Sequence, residues 1–139
     1  LAFDFKQLLP AQQVLQQLQL GYCFIQQNQH EPAGIRSRYA LEYLKQKFVA
    51  AAQFHVVSQL NLQVNYRFQH RMGQYLDASG AAHHYGSYGL LDAKFLWQAP
   101  RWQAYVEGNN LLNRHYFDVG NVPQPSCWVV AGAAFNIQL

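Results

Sequence analysis

The sequence predicts an all-β chain, an antiparallel meander of about seven strands forming the C-terminal part of a transmembrane β-barrel. Three observations carry that expectation. Several stretches alternate apolar and polar residues with period two, the pattern of a strand with one apolar and one polar face. The polarity is neutral: half of the 139 residues are hydrophobic and only 12% are Asp, Glu, Lys or Arg, while 19 are Gln. Globular domains carry about twice that charged share, whereas neutral polar groups alternating with apolar ones suit a wall between hydrocarbon and a wet interior. The connections between the alternating stretches run short, long, short, long along the chain, as the two rims of a membrane barrel do.

Taken in order, residues 2–5 form a short strand candidate that enters a turn at Leu8, Leu9 and Pro10. Residues 10–20 fit two periods. Pro10 at a first helical position, Val14, Leu15 and Leu18 on one face and Gly21 past the end suit a helix. Leu18, Leu20, Tyr22 and Phe24 alternating with Gln17, Gln19, Gly21 and Cys23 suit a strand, and a turn to about Gln13 followed by a strand to Gln27 is the expectation. Residues 28–37 are a polar loop with His30, Glu31, Pro32 and Gly34. Residues 38–57 again offer two readings. Ala40, Leu44, Phe48 and Ala52 lie at i+4 spacing among good helix formers. As a strand, Tyr39, Leu41 and Tyr43 oppose the parity of Phe48, Ala50, Ala52 and Phe54, which demands a bulge near residues 44–47.

Residues 60–69 show the cleanest alternation: Leu60, Leu62, Val64, Tyr66 and Phe68 against Asn61, Gln63, Asn65, Arg67 and Gln69. The link of two or three residues around Ser58 favours a hairpin with the segment before it, which makes 38–57 a strand. Residues 72–86 are a long polar loop, 88–98 a strand, 99–101 a tight turn and 102–109 another strand. A long loop at 111–126 precedes a closing strand in which Val129, Ala131, Ala133, Phe135, Ile137 and Leu139 share one parity. Trp97 and Trp102 then flank a short turn, and Tyr22, Phe24, Tyr66 and Phe68 fall near the long-loop ends, as inner and outer aromatic girdles would. Seven strands enclose no lumen for bulky cargo, and open sheet edges are not viable in hydrocarbon. The chain is therefore expected to be part of a larger barrel. The rival reading is a soluble α+β binding or interaction domain with helices at 10–20 and 38–57.

The longest apolar run has nine residues, 127–135, which excludes a transmembrane helix but not a strand, for which about 9–11 residues suffice. The net charge of +3 comes from scattered Lys and Arg, without the basic stripe of a nucleic-acid binder. Cys23 and Cys127 fall on strands five apart in the meander, about 24 Å, so both are expected to be free.

Asn110-Leu111-Leu112-Asn113 followed by Tyr116 resembles the Asn-Leu-(Phe/Leu)-(Asp/Asn)-x-x-Tyr signature of TonB-dependent outer-membrane receptors, and stands before the last strand as it does there. Pro123-Gln124-Pro125 before an aromatic strand start resembles the same family's final loop. Residues 37–44 with Phe48 and Val49 are similar to Bacteroidota members. The chain departs from the pattern at Ser126-Cys127, where the family has Gly, often followed by Arg, and at Leu139, where it ends on Phe or Trp. The resemblance implies a plug inside a barrel of about 22 strands in the bacterial outer membrane. It implies active uptake of a scarce nutrient complex, cobalamin- or siderophore-like, energised by TonB through an N-terminal segment outside this chain. Haem is the alternative cargo, and a surface lipoprotein a further partner that the resemblance allows.

Candidate contacts lie in the long loops. His83 and His84, with Tyr85 and Tyr88, invite a haem or metal hypothesis. Adjacent residues of an extended chain point in opposite directions, so a solvated loop is expected and no metal. His115, Tyr116, Asp118 and Asn121 occupy the last long loop, where a ligand arriving from outside would be met, although Asp and Asn serve turns equally well. His30 and Glu31 are lesser candidates. Arg67, Asp92, Lys94 and Glu107 have the interior parity and are expected to pair with one another or with the plug. No nucleophile–base constellation stands out, so catalysis is not expected.

Overall fold

The computed structural model describes residues 1–4, 14–27, 43–118 and 120–136. Among them every regular element is a strand: β1 (Ala2–Asp4), β2 (Leu15–Phe24), β3 (Leu44–Val57), β4 (Leu60–Arg71), β5 (Gln74–Leu76), β6 (Ala82–His84), β7 (Tyr88–Gln98), β8 (Trp102–Asn109) and β9 (Trp128–Phe135). Seven of them form one sheet in the order β1-β2-β3-β4-β7-β8-β9, with every neighbouring pair antiparallel. This is the expected meander. The sheet is open, with β1 and β9 at its edges.

The helical alternatives fail over the described parts of 10–20 and 38–57, which lie in β2 and β3. The reason is arithmetic. Positions four apart share strand parity as well as a helix face, so Phe48 and Ala52 satisfy both periods. Ala50 and Phe54, apolar at the intervening i+2 positions, satisfy only the strand. A register shift between Leu44 and Gln46 stands where the parity switch demands a bulge, and a second, between His55 and Val57, keeps Val57 opposite Leu60 on the apolar face.

Register turns alternation into two chemically distinct faces. Phe3, Leu18, Ala52, Val64, Ala93, Gly108 and Val129 form one continuous cross-strand row over all seven strands. Phe54, Leu62, Phe95, Val106 and Ala131 form a parallel row toward one end, and Tyr22, Phe48 and Phe68 another toward the opposite end. The opposite face carries Gln17, Gln53, Gln63, Lys94 and Glu107 in one row and a shallow depression lined by neutral amides, Gln19 and Asn65 among them.

Nothing described covers the apolar face. Phe95, Trp97, Trp102, Val106, Val129 and Phe135 are all exposed, and among the described residues the only buried hydrophobic side chains are Tyr85, Tyr88 and Leu90. The chain exposes 10151 Å², against about 7400 Å² for a folded monomer of its mass. The described residues form a single layer without a hydrophobic core.

The described connections keep the predicted asymmetry. At one rim, β3 and β4 are joined by Ser58-Gln59, and β7 and β8 by Ala99-Pro100-Arg101, closed by Ala99 N–H donating to Trp102 O at 2.9 Å. Gln98 N–H donates to Gln59 O at 2.8 Å and ties the two turns together. At the other rim stand the long connections after β4 and β8. The expected turn at 8–13, loop at 28–37 and strand end at 137–139 lie outside the described residues. One correction falls on 72–86: it is not plain loop, because β5 and β6 pair within it as a separate hairpin. Cys23 and Cys127 are exposed and free, on β2 and immediately before β9.

Candidate functional site

The buried groups of this protein gather at the long-loop rim, on the polar face. There the segment between β8 and β9 folds back over the ends of β4 and β7. Its start depends on Asn110 and Asn113, which adopt φ of 50° and 49°, a left-handed conformation that Asn tolerates better than most residues. Asn110, 4% exposed, works with both backbone and side chain. Its N–H donates to Asp92 Oδ1 at 2.8 Å, and its Nδ2 donates to the carbonyls of Arg114 at 2.8 Å and Pro125 at 3.1 Å. Its Oδ1 accepts Arg114 N–H at 2.9 Å. Asn113 N–H closes the turn on Asn110 O at 2.8 Å, and Asn113 Oδ1 accepts Cys127 N–H at 3.1 Å. The two asparagines thus hold the outgoing and returning ends of the loop together. Leu111 packs over Gly108, where a Cβ would meet its side chain at 2.6 Å, while Leu112 is exposed.

Beyond this clamp, Tyr116 lies against Tyr88 with ring centroids 4.3 Å apart. Tyr88 hydroxyl lies within hydrogen-bond distance of Gln69 Oε1 and, at 2.9 Å, of Asp118 Oδ1, and its one proton is shared between these two acceptors. The same Asp118 oxygen accepts Arg71 Nη2 at 3.3 Å. Partial burial raises the Tyr116 phenol above its ordinary pKa; Asp118 and Asp92 push the same way and Arg67 opposes them.

The β5–β6 hairpin joins the other side of this cluster. Tyr75 stacks on Phe117 at 4.8 Å and lies 5.3 Å from Tyr85, and Tyr85 hydroxyl accepts Gly120 N–H at 2.8 Å. Asp77 organises the hairpin turn: Oδ1 accepts Ser79 N–H, Ser79 Oγ–H and Ala81 N–H at 2.9, 2.6 and 2.9 Å, and Oδ2 accepts His83 Nε2–H at 2.9 Å. Those bonds, Ser79 and His83 foremost, hold the Asp77 carboxyl well below the usual carboxylate range.

Of the residues nominated from sequence, the fold brings together Tyr85, Tyr116 and Asp118, with Asn110, Asn113 and Pro125 beneath them. His83 and His84 separate as alternation requires: His83 stacks on Tyr75 and bonds Asp77, while His84 Nε2 lies 2.9 Å from the Gln74 amide nitrogen. His115 is exposed, 3.4 Å from Ser126 Oγ, and Asn121 is exposed. Arg71, Gln69, Tyr75 and Phe117 were not nominated. For Arg71 the signal was present, since it continues the odd-numbered polar parity of β4; Tyr75 and Phe117 meet only through tertiary packing.

On the polar face, Lys94 Nζ pairs with Glu107 Oε2 at 3.3 Å and sits 4.4 Å above the Tyr105 ring. Tyr105 in turn covers Gly132, whose Cβ would meet the ring at 2.6 Å. Of Arg67, Asp92, Lys94 and Glu107, only Lys94 and Glu107 pair with each other among the described residues; Asp92 accepts the Asn110 N–H instead, and Arg67 Nε is buried without a hydrogen-bond partner. No protein-family model, curated protein or solved structure matches the chain.

Proposed function

We propose that this chain is the C-terminal wall segment of a TonB-dependent outer-membrane receptor, which takes up a scarce, cobalamin- or siderophore-like nutrient complex. The observation that carries the reading is the single-layer sheet with an uncovered apolar face and an amide-rich opposite face. Its apolar band, from Trp102 and Phe135 to Tyr22, Phe48 and Phe68, spans about ten residues, roughly 33 Å of strand. At a tilt of about 40° that is about 25 Å of membrane, the height of an outer-membrane barrel's apolar belt. Hydrocarbon covers such a face without a second protein layer, and the open edges then pair with further strands. The Asn110–Asn113 clamp, in the place the family motif occupies, supports the receptor reading by resemblance.

Two measurements test it. Far-UV circular dichroism of the purified protein in detergent is expected to be β-rich, with aggregation in water; a stable monomeric fold in water would sink the membrane wall. Growth of a deletion strain on limiting cobalamin or limiting ferric siderophore tests the cargo. Loss of growth on one of them, restored by the gene only when TonB is present, is expected; growth unaffected on both would reject the cargo class.

A further inference from the structure

Asp92 and Glu107 on the described polar face, and Asp118 in the loop over it, are all engaged. Asp118 holds Arg71 and Tyr88, Glu107 holds Lys94, and Asp92 accepts Asn110 N–H. The side chains of Arg67 and Lys47 have no hydrogen bond or ion pair among the described residues, and Arg67 Nε is shut off from water as well. A buried donor left without an acceptor costs about 1–3 kcal/mol, so the fold bears that cost in holding the Arg67 side chain where it stands.

Register says what shape of partner is missing. Arg67 stands opposite Val49 on β3 and Leu90 on β7, and Leu90 is 2% exposed. The guanidinium therefore leaves the wall from apolar surroundings. Lys47 faces Gln69 on the same strand pair, which makes it the diagonal neighbour of Arg67 at about 7–8 Å between Cα atoms. With Nε enclosed, the guanidinium offers its two Nη groups end-on to a planar oxyanion, through parallel N–H donors. A compact ammonium a diagonal step away supplies charge without directional demand. From this arrangement we infer that Arg67 and Lys47 form a carboxylate-binding site on the polar face of the wall. The site takes a carboxylate either from a dissolved small molecule or from another segment of the same protein lying against this face. It rests on the proposed function only in taking that face to line a wet interior.

The Arg67 Nη–H groups are directly observable by NMR in the complete outer-membrane protein, labelled with ¹⁵N-arginine and held in detergent, with the peaks assigned by their loss in Arg67→Lys. Citrate is the probe. A saturable shift of the Arg67 Nη–H peaks on adding citrate, with a midpoint about fivefold weaker in Lys47→Gln, supports a site for a dissolved carboxylate. Peaks already shifted downfield and protected from exchange without citrate, and indifferent to it, support a carboxylate supplied by the protein. Nη–H groups that exchange as fast as a solvated arginine's, with and without citrate, overturn the inference. Circular dichroism of the same sample reports separately on the membrane reading: a β-rich sample with a solvated Arg67 rejects this site alone.

Discussion

Asn110 is the residue on which the loop between β8 and β9 turns. Replacing it with Ala removes three side-chain hydrogen bonds and forces a β-carbon without compensating polarity into a left-handed φ. Hydrogen bonds contribute about 0.5–1.5 kcal/mol each and the backbone about 1–2 kcal/mol. Asn110→Ala is therefore expected to lower stability by roughly 3 kcal/mol in urea unfolding of the detergent-folded protein. Asn110→Gly keeps the backbone and loses only the side-chain bonds, so it is expected to fall between the two; equal losses would show that φ contributes nothing. The sequence singled out Asn110 and Asn113 only as members of the motif that carries the resemblance. That their side chains hold residues 125–127 was not legible, because the returning segment is fixed by tertiary structure, not by spacing.

At the scale of elements, strands were legible wherever alternation persisted for about eight residues, and β7 and β8 run as the alternation suggests. The β5–β6 hairpin was not. Three-residue strands are too short for period two to show, and Asp77, Ser79 and Gly80 read equally well as loop. Its stability is expected to depend on the Asp77 carboxylate. Because the folded pKa is depressed, the contribution is present above the ordinary carboxylate range and is lost as pH falls through the depressed folded value. Amide exchange at Ser79 and Ala81 is expected to accelerate in Asp77→Ala, while β3 and β4 amides are unchanged. Exchange unaltered at Ser79 and Ala81 would show that the turn does not need the carboxylate.

For the molecule as a whole, low charge and abundant Gln announced two faces of different chemistry, and register delivers them. What stayed illegible is how the long loops fold inward, since the Tyr75–Phe117 and Tyr88–Asp118 contacts join segments far apart in sequence. The two faces make opposite forecasts for one substitution. Ala93→Arg, in the middle of the apolar band, is expected to cost about 2–4 kcal/mol in lipid vesicles, whereas Gln63→Arg on the adjoining strand's other face is expected to stay within about 0.5 kcal/mol. Equal costs would mean that both faces meet the same solvent. The uncovered apolar face has a consequence for the order of events in the protein's life. Folding in water does not hide a face that no described residue covers, so compaction alone gives it no shelter. On the membrane reading, folding and insertion are one event, and before it the chain depends on carriers that keep it dispersed and unstructured.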